Sequence, residues 1–157
     1  MRSQELSSQL QRIRSLIKET HTASVNDLEL QSHWAKYLCV LCAGLLEDSM
    51  IQIYGDYAKR SANPIVSSYV FSQLDRIQNP KTQKFIEIAT QFSKSWGAEL
   101  ELFASTDGRK EAIDAIMANR NSIVHGGSSG ITISQLTNYL NKSLEVLEHI
   151  EKKTLGE

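Results

Sequence analysis

A short run near residue 120 carries side chains that can do chemistry on a phosphodiester. It reads Arg120-Asn121-Ser122-Ile123-Val124-His125. Histidine titrates near neutral pH, so it can take the proton of a 2′-hydroxyl or give one to a leaving 5′-oxygen. Arginine offers a planar, permanently charged fork to a phosphate whose charge grows in the transition state. Asn121 can orient either group, and this chemistry requires no metal or other cofactor.

The helix that carries this run points its two charged groups in different directions. Ile113, Ile116 and Met117 continue in phase to Arg120, which predicts that the arginine lies on the core-facing side. A buried guanidinium needs a carboxylate, carbonyls or a bound anion. His125 points about 140° away from Arg120 on a regular helix. The two groups therefore converge on one phosphate only if the helix end is distorted or a second copy of the chain supplies the partner.

Glycines and a capping pattern mark where this helix ends and the next one begins. Gly126 follows His125 at the position where a left-handed helix cap is favoured. Thr132 and Gln135 then have the spacing of a capping box, which predicts the start of a last helix with one apolar face.

The rest of the chain predicts an all-α bundle of about five to six helices. Three- and four-residue apolar steps indicate a first helix from about Gln4 to Glu19 and a second from Leu28 to about Lys59. The stretch 37–46 is apolar on every side, so we expect it to be the long, buried central helix. A shorter helix is predicted from Ile65 to Arg76. Another opens at Asn79-Pro80 and closes at Trp96-Gly97.

We expect residues 1–157 to form one domain whose ends, 1–3 and 152–157, are frayed. The net charge of −1 argues against broad coating of nucleic acid, so RNA contact needs local clustering, an oligomer or a narrow site. The apolar stretch 37–46 is shorter than the roughly 20 residues that span a bilayer, so no membrane contact is expected. The first residues lack a secretory signal and the two cysteines form no disulfide framework, which favours a cytoplasmic location.

The run 120–125 resembles the Arg-x(4–6)-His motif of the HEPN superfamily, including the polar residue that often follows the arginine. The stretch from Tyr37 to Glu47 is similar to the central helix of the RiboL-PSP-HEPN branch, with its small residue followed by an acidic one. The motif ends a helix, a Gly-Gly cap follows it, and an amphipathic helix comes next. The resemblance covers both key helices, and the helix order agrees over nearly the whole chain.

The resemblance implies a dimer in which both motifs line one cleft, and a metal-independent endoribonuclease of toxin–antitoxin or antiphage systems. Arg120 and His125 would be catalytic, with Asn121 and Glu47 in supporting roles. RNA would be the substrate, with an antitoxin or other protein as a possible partner. The branch that pairs with small nucleotidyltransferase antitoxins has a tyrosine two residues after the histidine. This chain has Gly127 there, which argues against that pairing.

Plainer interpretations stand beside these. Arg120 and His125 are also compatible with a helix-end cluster of structural value only, and Glu47 with the place where the central helix leaves the core. Cys39 and Cys42 are expected to be small buried hydrophobes. The alternative function is a non-catalytic HEPN module that binds RNA or protein, and a third is a helical adaptor without this chemistry.

Overall fold

The computed structural model describes residues 3–156, and these residues form seven α-helices joined by short connections. No strand occurs in this range. The helices are α1 (Gln4–Ala23), α2 (Leu28–Ser61), α3 (Pro64–Leu74), α4 (Thr82–Phe92), α5 (Lys94–Ala104), α6 (Arg109–Val124) and α7 (Ile133–Leu155). The predicted all-α class is confirmed, with one helix more than the sequence analysis expects.

The long helix α2 is the centre of the bundle, as predicted. It packs against α1, α3, α6 and α7, and buried residues occur along most of its length. By length and composition α2 is also capable of crossing a membrane, but 61% of its most apolar window is buried inside the bundle. Burial of this kind is what the central helix of a bundle requires.

The extra helix arises where one helix was expected between residues 79 and 97. Ser93 is extended, with φ −158° and ψ 131°, and it separates α4 from α5. Gly97 is therefore inside α5 and does not end a helix. A Cβ built on Gly97 would lie 1.9 Å from Thr90 Oγ1. The glycine is needed because α4 and α5 approach each other closely there, which is a tertiary requirement that the local pattern does not reveal.

The last helix continues further than predicted. Residues 152–155 were expected to fray, but they are helical up to the left-handed cap at Gly156. Thr154 is buried, and its carbonyl oxygen accepts a hydrogen bond from Arg60 Nη2 at 3.3 Å. At the other end, Ser3 caps α1 by accepting from the Leu6 N–H. The expected fraying of Met1, Arg2 and Glu157 lies outside the described residues.

The helices α2 and α6 run side by side in opposite directions, and this arrangement positions the motif. Cys39 Sγ lies 3.6 Å from the carbonyl oxygen of Ile116, near the C-terminal half of α6. Further along α2, Glu47 is hydrogen-bonded to the connection that precedes α4. Thr82, the first residue of α4, is in turn hydrogen-bonded to the N-terminal half of α6. The end of α6 therefore lies beside the N-terminal half of α2.

Candidate active site

The C-terminal end of α6 closes in a Schellman motif. The Gly127 N–H donates to the Ser122 carbonyl at 2.7 Å, and the Gly126 N–H donates to the Ile123 carbonyl at 3.2 Å. Gly126 has a φ of +73°, which confirms the predicted left-handed cap. His125 is the last residue on the helical path, because its N–H still bonds the Asn121 carbonyl at 3.2 Å. The helix end is regular, so the divergence of about 140° between Arg120 and His125 is retained.

The polar side chains of this helix end are open to ligands. Arg120 is half-buried, whereas Asn121 and His125 are exposed. Within residues 3–156, no hydrogen bond or ion pair engages the Arg120 guanidinium or the His125 imidazole. The carboxylate or carbonyl partner that the sequence analysis expects for Arg120 is thus absent from this range. A half-buried guanidinium in that condition is suited to bind an anion.

A polar clamp that the sequence analysis missed fixes the loop after His125. Asn119 Nδ2 donates to the Ala115 carbonyl at 2.8 Å, which leaves its Oδ1 to accept from Ser129 Oγ at 2.7 Å. Ser129 Oγ also accepts from the Ile131 N–H at 3.4 Å. These bonds hold the glycine-rich loop against α6. The sequence signal for these bonds was weak, because it consists of Asn119, one residue before Arg120, and Ser129, ten residues after Asn119.

The two cysteines lie beneath the motif and are free thiols. Burial raises the pKa of Cys39 to about 11, although a backbone hydrogen bond from Arg120 opposes the shift. Burial and the neighbouring Cys39 raise the pKa of Cys42 to about 12. Both thiols are therefore protonated at neutral pH and unsuited to nucleophilic or metal chemistry. Their expected burial is confirmed.

Glu47 is engaged elsewhere in the molecule. Its Oε2 accepts a hydrogen bond from the backbone N–H of Asn79, a residue with a φ of +50°. Glu47 lies eight residues after Cys39, which is about 12 Å along α2, and away from the end of α6. No bond joins it to Arg120 in the described part of the chain. The structure therefore brings Arg120, Asn121 and His125 to one helix end and leaves Glu47 to anchor the connection before α4.

Comparison with known protein families decides what these helices belong to. The model of the RiboL-PSP-HEPN family matches residues 4–155, which is nearly the whole chain. The chain belongs to the RiboL-PSP-HEPN family. No curated protein and no solved structure matches it.

The glycine that follows the motif in this HEPN domain has a structural reason. A Cβ built on Gly127 would lie 3.1 Å from the Ser122 carbonyl oxygen, the acceptor of its own cap hydrogen bond. A tyrosine at this position would require the cap to shift by a few tenths of an ångström. Gly127, which stands where one branch of the family has a tyrosine, thus lies at a tightly closed helix end.

The last turn of α6 in this HEPN domain forms an exposed surface, here called the α6 terminal face, made of Asn121, Val124 and His125. Val124 is 53% exposed between the two polar residues. Across residues 3–156 no group of three histidine, cysteine or acidic side chains could hold a metal ion. What the face offers is an imidazole, an amide and an apolar contact, and the half-buried Arg120 comes directly before it on α6.

Proposed function

We propose that this HEPN domain is a metal-independent endoribonuclease whose active site is composed at a homodimer interface. Arg120 and His125 are its catalytic residues, and Asn121 supports them. The prediction of a supporting role for Glu47 is kept only in the sense that it anchors the chain between α3 and α4.

The observation that carries the proposal is the unpaired state of two complementary groups at one helix end. Arg120 is half-buried with no partner for its guanidinium within residues 3–156, and His125 is exposed five residues later. A cation that is partly withdrawn from water and unpaired is unfavourable unless a ligand supplies the negative charge. A purely structural helix-end cluster would be expected to pair its arginine with a nearby carboxylate or carbonyl.

The chemistry needs only a proton acceptor, a proton donor and a cation. His125 takes the proton of a ribose 2′-hydroxyl, and the 2′-oxygen attacks the adjacent phosphorus. The bond from phosphorus to the 5′-oxygen breaks, and that oxygen takes a proton from the partner's His125 or, where that imidazole is missing, from water. The products are a 2′,3′-cyclic phosphate and a 5′-hydroxyl end. Arg120 stabilises the extra negative charge on the phosphoryl oxygens as it develops.

A second copy of the chain supplies the geometry that one copy lacks. Because the helix end is regular, Arg120 and His125 of one protomer diverge by about 140°. In this proposal a two-fold axis beside the ends of the two α6 helices brings His125 of each copy to Arg120 of the other. The exposed Val124 provides apolar contact between the copies, and the paired arginines concentrate positive charge despite a net charge of −1.

We further propose a cytoplasmic role in a toxin–antitoxin or antiphage system, with no membrane contact. A ribonuclease that acts on cellular RNA must be restrained, so a neutralising protein partner is part of this proposal. Such a partner would act by covering the cleft between the two α6 terminal faces or by separating the protomers.

The second candidate function is a HEPN module that binds RNA or protein without cleaving it. The observation that favours it is the balanced composition, with 17 basic and 18 acidic residues. A surface of this kind gives weak general attraction for the RNA backbone. Such a module would still form the dimer but would not carry out the proton transfers that cleave RNA.

Cleavage of RNA by the purified chain, with EDTA present, separates these functions. The variants to compare are wild type, His125→Ala and His21→Ala, since His21 is an exposed histidine on another helix. We expect wild type and His21→Ala to cleave equally and to leave 2′,3′-cyclic phosphate ends. His125→Ala should lose at least about 100-fold in rate.

Two outcomes would contradict the proposal. Cleavage that EDTA abolishes would overturn its independence of metal. A folded dimer that binds RNA but cleaves none would establish the module in place of the nuclease.

A further inference from the structure

An apolar groove opens between α1 and the N-terminal half of α2, outside the motif. Its volume is about 440 Å³, within the range of about 300–1,000 Å³ that small-molecule sites occupy. Its lining residues are Arg12, Leu16, Leu30, His33, Trp34 and Tyr37.

Two aromatic rings form the wall of this groove. The centroids of Trp34 and Tyr37 lie 5.8 Å apart with an interplanar angle of 74°, so one ring stands edge-on to the other. Tyr37 is 46% exposed although it belongs to the apolar stretch of the central helix. A large aromatic surface held in fixed geometry and left facing water is a platform on which a flat ring can stack.

The rim of the groove carries positive charge. Arg12 is exposed, and within residues 3–156 no hydrogen bond or ion pair engages its guanidinium. His33 also lines the groove, and its Nε2 lies 3.9 Å from the exposed carboxylate of Glu29. A stacking surface beside a free arginine is complementary to a nucleotide, which joins a flat base to an anionic phosphate.

The groove lies at the level of the motif along α2. Tyr37 is two residues before Cys39, whose Sγ contacts the Ile116 carbonyl one turn before Arg120. Two helical residues correspond to a rise of about 3 Å. Residues 37 and 39 point about 160° apart around α2, so the groove and the contact with α6 lie at one level on opposite sides of this helix, and an RNA strand that reaches both must pass around α2.

We propose that this groove is a base-binding subsite for single-stranded RNA, in which a nucleobase stacks on the exposed ring of Tyr37 and meets Trp34 edge-on while Arg12 holds the adjoining phosphate. The proposal deepens the proposed function and rests on it, because it gives the nuclease a binding site for its RNA substrate apart from the cleavage site. A purely aliphatic groove would favour a protein side chain, whereas the paired rings and free guanidinium favour a base.

The test is binding of a short single-stranded 2′-O-methyl RNA, which lacks the nucleophile and cannot be cleaved. Fluorescence anisotropy gives the Kd for wild type, Tyr37→Phe, Tyr37→Ala and Tyr69→Ala. Tyr69 is the matched control, since it is 65% exposed on the distant helix α3. Base stacking on one aromatic ring corresponds to a change in Kd of about 5- to 150-fold.

We expect Tyr37→Ala to weaken binding within that range, while Tyr37→Phe and Tyr69→Ala bind as wild type does. In a Trp96→Phe background, RNA should quench the fluorescence of Trp34, the remaining tryptophan. An abasic strand should bind wild type and Tyr37→Ala alike.

Equal binding by Tyr37→Ala and Tyr69→Ala would overturn the subsite. So would a change in the sedimentation of Tyr37→Ala without RNA, which would make the groove a protein interface. These results are independent of catalysis. Tyr37-dependent binding without cleavage would contradict only the proposed nuclease, and His125-dependent cleavage without Tyr37-dependent binding would contradict only the subsite.

Discussion

At the scale of single residues, the main feature is an arginine kept partly buried without a partner. Arg120 follows buried Ile116 and Met117 on the inner face of α6, yet no described group neutralises it. The sequence pattern predicts its phase correctly because helical periodicity fixes direction. Whether a partner exists depends on residues distant in the chain, which periodicity does not place.

Replacing Arg120 should separate stability from activity. Because no bond is lost within the described chain, we expect Arg120→Ala to change the free energy of unfolding by no more than about 0.5 kcal/mol. RNA cleavage should fall about 100- to 1,000-fold through loss of transition-state charge stabilisation. Urea denaturation and initial cleavage rates measure the two effects. A loss of several kcal/mol in stability would show instead that Arg120 has a structural role.

The second residue with a testable consequence is His149 on α7, far from the motif. Its ring stacks on Phe103 with centroids 4.4 Å apart, and its Nε2 is buried with no hydrogen-bond partner. Burial lowers the pKa of His149 below its ordinary value of 6.5, and the charges of Lys153, Arg109 and Lys152 lower it further against the opposing effect of Glu99.

This lowered pKa makes stability depend on pH. Between the folded and unfolded pKa values the unfolded chain binds more protons, so the free energy of unfolding falls as pH drops below about 6.5. His149→Phe keeps an aromatic ring for stacking but does not titrate. Thermal unfolding between pH 7.5 and 5 should therefore show a smaller loss for His149→Phe than for wild type. His21→Gln, a change at an exposed histidine, should behave as wild type, and parallel curves for all three proteins would refute this account.

At the scale of helices, the sequence predicts what depends on local pattern and misses what depends on close packing. Residues close together in the sequence are enough to predict the central helix, the glycine cap at Gly126 and the capping box at Thr132. All three predictions are confirmed. The break at Ser93 and the continuation of α5 through Gly97 depend on how two helices meet. From sequence alone, a glycine inside a helix is interpreted as the end of that helix. Its role becomes clear only when the neighbouring helix that packs against it is known.

The close approach of α4 and α5 predicts an unfavourable substitution at Gly97. A methyl group there would overlap Thr90, whose Cα and Cβ lie 3.0 and 2.9 Å from the new atom. We expect Gly97→Ala to lower the free energy of unfolding by about 1–3 kcal/mol through overpacking. Gly44→Ala is the control, since a Cβ there meets no atom within 4 Å, and helix propensity should make it neutral or slightly stabilising. Similar stability of the two variants would contradict the described packing.

At the scale of the whole molecule, the proposed nuclease depends on an arrangement that one chain does not contain. Composition gives a net charge of −1 and hence no sign of RNA binding. The motif and its helix end are readable from sequence, but the facing copy is not, because an interface depends on surfaces from both partners. The groove proposed to bind a base was also missed, since Trp34 and Tyr37 read as core aromatics at helical spacing.

The composite site has a direct test in mixed dimers. Arg120→Ala and His125→Ala are produced with different tags and co-expressed, and the heterodimer is purified through both tags. Each homodimer should cleave at least about 100-fold more slowly than wild type, since one lacks both arginines and the other both histidines. The heterodimer keeps one Arg120 and one His125 on different chains. We predict that it recovers RNA cleavage well above either homodimer, and an intact heterodimer as inactive as its parents would contradict the composite site.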